Sequence, residues 1–191
     1  MALLHRAELV PSKLELIGDW LSAQSWFAGN ASERLETVAS FRFDDPEGEV
    51  GVETLLVRAG DGPVMQVPLT YRNEKREGSQ EGFLGTLEHS VLGTRWVYDG
   101  TSDHVYLWEL ARTIFCGGTQ VELWIEIDGV MTQREPTARV LGSGSERELP
   151  PEGFAVEVVR VPGDAPVAPF VLTGTWTGQP EPTVLATALR E

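Results

Sequence analysis

Residues 19–29 read D-W-L-S-A-Q-S-W-F-A-G, and the way this run leaves a helix sets the reading of everything around it. Working back toward the N-terminus, Leu14, Ile17, Trp20 and Leu21 recur at helical spacing, while Lys13, Glu15 and Asp19 fall on the other side. Ser12 suits the N-cap, because its hydroxyl can accept one of the unpaired amides of the first turn. The spacing predicts a helix over 13–22, weakened slightly at Gly18, with Gly29 as the stop. Trp20 follows the apolar stripe into the core. Trp26, beside Phe27 in the turn, is placed to staple the helix to a sheet.

Beyond Gly29 the pattern shifts from helical to alternating. Glu36 to Phe43 puts Ala39, Phe41 and Phe43 on one face, and Glu49–Arg58 and Pro63–Tyr71 are further β-rich runs. Between those two lies Ala59-Gly60-Asp61-Gly62, a hairpin signal, since glycine supplies the positive φ that such turns need. Asn73 to Glu81 is charged and polar and reads as a solvated loop or a mobile flap. Phe83–Ser90 and Thr94–Asp99 read as two more strands, broken near Gly93.

Thr101-Ser102-Asp103 then caps a second helix over about 103–115, whose apolar side carries Val105, Leu107, Trp108, Ala111, Ile114 and Phe115. Gly117-Gly118 ends it. Val121 to Asp128 alternates cleanly. After Gly129 the chain turns rich in Gly, Pro and Ser, with short strands expected near 137–141, 155–161, 170–177 and 183–188. The sum is an α+β fold of antiparallel sheets with two helices packed on one side. Residues 1–129 read as one unit, and 130–191 as a β-rich extension packed on it.

Composition narrows the function classes. Twenty-nine acidic residues face fifteen basic ones, a net charge of −14. Such a surface repels phosphate backbones and anionic lipid, which argues against nucleic-acid and membrane partners. No apolar run approaches the ~20 residues that span a bilayer. The first residues, with His5, Arg6 and Glu8, lack the apolar core of a signal peptide. A cytoplasmic location follows, and the Asn30-Ala31-Ser32 sequon then reads as a chance match. Cys116 is the single cysteine, so no intrachain disulfide forms and thiolate zinc sites are disfavoured. Its place at the end of the second helix suits a small buried hydrophobe.

Two segments carry a family resemblance. One is D-W-L-S-A-Q-S-W-F-A-G. The other runs from Phe83 through L-G-T-L-E-H-S-V-L-G-T-R-W-V-Y-D-G into the Tyr106–Phe115 helix and Cys116-Gly117-Gly118. Over roughly the first 125 residues their order resembles the N-terminal cap of actinobacterial maltokinases, with a cystatin-like arrangement as one form of that unit. The resemblance implies an association with maltose, trehalose or glucan metabolism. Complete maltokinases also need an H-G-D catalytic loop, a downstream D-x-E for magnesium and a phosphate-positioning lysine. Here His5, His89 and His104 are followed by Arg6, Ser90 and Val105. Asp45-Pro46-Glu47 matches D-x-E only in a cap-region turn. The two lysines, Lys13 and Lys75, belong to a helix and a polar loop. No Gly-Lys pair marks a P-loop. These absences predict no catalytic residues, no cofactor and no metal.

The candidate binding residues lie on strands. Trp96 and Tyr98 share one face of their strand, as an aromatic platform for a sugar or as core. Arg95 and Asp99 share the other, where a cross-strand ion pair is expected. His89, in Glu88-His89-Ser90, reads as structural or as a general base, with Asp99 or Asp103 as orienting carboxylates. Glu88 faces away from it and cannot serve. Trp124 falls among Glu122, Glu126 and Asp128, a setting that suits stacking against a pyranose, an interface anchor, or burial under a neighbouring element. The expectation is a non-catalytic accessory domain acting through a protein partner, a homodimer or a small carbohydrate. A ligand-binding β-layer protein is the alternative, and a small hydrolase or isomerase using His89 the weaker one.

Overall fold

The computed structural model describes residues 2–4, 7–76, 81–127, 129–148, 153–163 and 165–190. The first helix, α1 (Lys13–Ser22), is fixed by a reciprocal cap. Ser12 Oγ accepts the Glu15 amide, and the Glu15 carboxylate accepts the Ser12 amide at 2.8 Å. The helix stops at Ala23, short of Gly29. Gly29 serves a different need, because a Cβ there would stand 2.9 Å from the Ala59 methyl.

Among the described residues, seven strands precede the second helix: β1 (Ala2–Leu4), β2 (Leu9–Val10), β3 (Leu35–Phe43), β4 (Gly51–Ala59), β5 (Met65–Arg72), β6 (Phe83–His89) and β7 (Gly93–Asp99). The helix α2 (His104–Phe115) begins at Asp103, whose carboxylate accepts the Val105 amide. It ends in the left-handed turn at Gly117, φ +64°. Six strands follow: β8 (Leu123–Ile127), β9 (Val130–Arg134), β10 (Ala138–Gly142), β11 (Phe154–Val158), β12 (Phe170–Trp176) and β13 (Gln179–Arg190).

The strands form three sheets. An antiparallel six-stranded sheet runs in the order β2-β6-β7-β5-β4-β3, and a four-stranded one β10-β12-β13-β11. A small sheet, β1-β8-β9, contains the parallel pair β1–β8. The α+β architecture of antiparallel sheets with two helices is therefore what forms. Three elements had no legible signal. β1 and β2 are two or three residues long, and β9 is exposed along its whole length, so it has no alternation to read.

The helices do not share one side. Alternate residues of β4 point opposite ways: Leu55, Val57 and Ala59 pack with Ile17 and Leu21 of α1, while Val52 and Leu56 pack with Leu110 and Ile114 of α2. A strand buried on both faces needs a cover on each, so α1 and α2 lie on opposite faces of the large sheet. α2 is enclosed between that sheet and the four-stranded one, whose Val140, Leu172 and Leu185 complete its core.

The expected boundary at residue 129 falls within a hairpin, since Gly129 at φ +79° turns β8 into β9. Residues beyond it also fasten to the large sheet. Gln66 donates its side chain to the carbonyls of Val159 (2.9 Å) and Leu185 (2.7 Å), and its amide to Arg160 O at 2.7 Å. No helix among the described residues is long and apolar enough to cross a membrane.

Candidate functional site

The α1 face of the large sheet is only partly covered. A helix of ten residues is about 15 Å long, while the nine residues of β4 extend about 30 Å. What α1 leaves bare, beyond its N-terminus, is a cleft of about 580 Å³. Its floor comes from β3, β4 and β5 through Arg42, Gly51 and Tyr71. Its far wall comes from β6 and β7 through Leu87, His89 and Arg95.

A buried carboxylate organises the floor. Glu53, 5% exposed, accepts hydrogen bonds from Lys13 Nζ at 2.5 Å and Tyr71 Oη at 2.8 Å. Burial works to raise its pKa, but Lys13 and Arg42, together with the two hydrogen bonds, hold it below the ordinary carboxylate value. The Tyr71 hydroxyl is pushed well above its usual value by burial and by the Glu53 charge. It stays protonated at neutral pH. The floor is thus a fixed set of donors and acceptors.

Two of the eight candidates read from sequence line this cleft. His89 Nδ1 accepts the backbone amides of Leu92 at 3.1 Å and Val91 at 3.3 Å, which ties the ring to the β6–β7 turn and leaves Nδ1 without a proton. Arg95 donates to Leu92 O at 2.8 Å. Of the ion-pair network expected on this face, Asp99 has a partner, while among the described residues no carboxylate lies within 4.0 Å of Arg95. Asp99 accepts from Arg160 at 2.5 Å and from Thr101, and Arg160 stacks 4.6 Å over Trp26. Nor do the proposed carboxylates orient His89: Asp103 accepts from Nε and Nη2 of Arg72, each at 2.8 Å, and from Thr70.

The remaining candidates lie elsewhere. Tyr98 is fully buried, its hydroxyl accepting the Arg76 amide, so it forms no open platform. Trp96 is half-buried against Phe83, with Lys75 Nζ 5.8 Å from its ring centre. Trp124 is half-buried too, and its indole Nε1 lies out of solvent without a hydrogen-bond partner. A covered N–H cannot serve a sugar hydroxyl. Glu122 and Glu126 are exposed beside it, and Asp128 lies outside the described residues. Cys116 is half-buried rather than buried.

Sequence reasoning missed Lys13, Arg42, Glu53 and Tyr71. One signal was available: Glu53 is a charge inside V-E-T-L-L-V, a run otherwise fit for full burial, and a buried charge requires partners. Among the described residues no cluster of three or more His, Cys, Asp or Glu could hold a metal ion.

Residues 20–103, from the last turn of α1 to the cap of α2, match the model of the maltokinase N-terminal cap domain. The chain carries a cap-like domain of this type. The match is narrower than the first 125 residues expected from the resemblance. It takes in the large sheet from β3 to β7, hence most of the cleft, but not Lys13. The cap is a non-catalytic N-terminal part of maltokinase. No curated protein matches the chain.

Proposed function

We propose that this chain is a non-catalytic accessory module whose cap-like domain works by binding a small polar ligand, with carbohydrates of maltose, trehalose or glucan metabolism as the class its family suggests. A cytoplasmic place of action belongs to the same reading. One observation carries it. The cleft is open, yet its floor is a satisfied Lys13–Glu53–Tyr71 network. A protonated tyrosine and an ion-paired lysine, both held from beneath by the buried Glu53 carboxylate, present fixed hydrogen-bonding groups, which suits recognition.

Thermal unfolding with maltose, trehalose and soluble glucan tests this. A ligand selective for the native state, at one hundred times its dissociation constant, adds about 2.7 kcal/mol. For a chain of this size that raises Tm by roughly 5–10 °C. ATP-dependent phosphorylation of maltose by the purified chain would overturn the reading.

Contact with a partner protein or a second copy is the second reading, favoured by β9. This edge strand is exposed throughout, with Val130 at 63%, and carries no proline or lysine. Unpaired edges of that kind invite strand addition. Light scattering across a concentration series decides it for self-association, and a mass fixed at the monomer value rejects the homodimer.

A further inference from the structure

One cation in the cleft touches no counter-charge, although its field helps to keep Glu53 ionised. Lys13 is neutralised by Glu53, and Arg95 is held by a carbonyl. Arg42 differs. Among the described residues, no carboxylate lies within 4.0 Å of its guanidinium, and its side chain makes no hydrogen bond. It is nevertheless half-buried and placed: Nη2 passes 3.2 Å from where a Cβ on Gly51 would stand, and the Tyr71 side chain flanks the same gap at 3.4 Å. Gly51 therefore leaves a notch, walled by a guanidinium and a ring, that any larger residue would fill. A guanidinium partly stripped of water and lacking a contacting counter-charge is incomplete, and its planar fork matches an oxyanion.

We propose that the cleft takes a small ligand bearing an oxyanion, a carboxylate or a phosphate monoester, seated on Arg42 over Gly51. The proposal rests on the binding reading above and gives its ligand a charge. Arg95 stands three strands away and, by register, level with a point four residues further along, so a ligand this small seated on Arg42 does not reach it. Four carboxylates face this region, and the two nearest the floor are spoken for. Glu53 is held by Lys13 and Tyr71, and Asp45 accepts the amides of Glu47, Glu49 and Val50. Asp44 and Glu49 lie at the exposed rim. The overall charge of −14 is screened beyond about 8 Å at physiological salt, so the local guanidinium decides.

The test titrates the full chain with inorganic phosphate and with succinate, at matched ionic strength and with maltose as the neutral control. Calorimetry gives affinity, and arginine Nε–H resonances report on Arg42. At least one anion should saturate with a dissociation constant at or below about 1 mM and shift Arg42. Preference for phosphate identifies a phosphate monoester as the ligand group, and preference for succinate a carboxylate. Arg42→Gln should weaken that binding about tenfold or more, a loss of about 1.4 kcal/mol, in protein that remains folded. Gly51→Ala, which fills the notch while keeping the charge, should weaken it as well. If neither anion saturates, or if binding survives Arg42→Gln undiminished, the oxyanion site is wrong. Maltose binding that ignores Arg42 sinks the oxyanion while sparing the binding reading. Silence from every ligand sinks both.

Discussion

The two faces of the six-stranded sheet have opposite fates. On the α2 face, polar side chains are paired in place: Thr54 with Tyr106 at 2.7 Å, Thr70 and Arg72 with Asp103, Gln66 with two carbonyls of the second sheet. A helix and a further sheet shut that face off from water. On the α1 face a ten-residue helix covers the apolar end and leaves the polar end open. The difference separates stability from recognition. Where cover is complete, polar groups are paired within the fold; where it ends, a charge such as Arg42 is left without a contacting partner among the described residues.

The sharpest way to break this contrast is at the closed face. Gly142 and Gly144 run against the C-terminus of α2, where an added Cβ would lie 2.0 Å from the carbonyl oxygens of Thr113 and Phe115. Backbone cannot yield cheaply there. Gly144→Ala should cost about 4 kcal/mol or more, read by chemical denaturation or as loss of folded protein. A neutral outcome would mean that the second sheet does not clamp the helix.

Asp103 comes next. Replacing it with Ala uncaps α2 and strands the Arg72 guanidinium, for a loss of about 3–5 kcal/mol. Burial works to raise the Asp103 pKa, but Arg72 and Thr70 prevail and hold it below normal. A carboxyl depressed in the folded state adds stability above its unfolded pKa, about 3.9, and that stability disappears as pH falls through the folded value. Unfolding free energy should therefore decline in acid below about pH 4, and more gently in Asp103→Asn. Identical slopes would remove Asp103 from the account.

The smallest effect belongs to the open face. Glu53→Gln keeps the shape of the Lys13–Tyr71 link but removes its charge, and should cost about 1–3 kcal/mol. Thermal denaturation measures it. A loss as large as that at Asp103 would show that the cleft floor is as essential to the fold as the closed core.

Much of the fold was legible because it is local. Ser12 and Asp103 were read as caps, and Leu14 to Leu21 and Val105 to Phe115 as apolar stripes, from spacing alone. The turn at Ala59-Gly60-Asp61-Gly62 needed only the freedom of glycine, and Gly60 adopts φ +56°. The site was less legible. His89 and Arg95 were named, but of the aromatic candidates Tyr98 is fully covered, and Trp96 and Trp124 are half-buried away from the cleft. Chemistry at one position does not reveal what lies over it.

By itself the sequence determined the two helices with their caps, most of the longer strands and the presence of a cap-like run, because these follow from periodicity, capping and turn chemistry within a dozen residues. Only the tertiary structure decided that the helices take opposite faces, that residues beyond 129 seal one of them, and that Lys13, Arg42, Glu53 and Tyr71 meet. Those outcomes depend on strand order and on the length of α1 against the sheet, which no local pattern encodes.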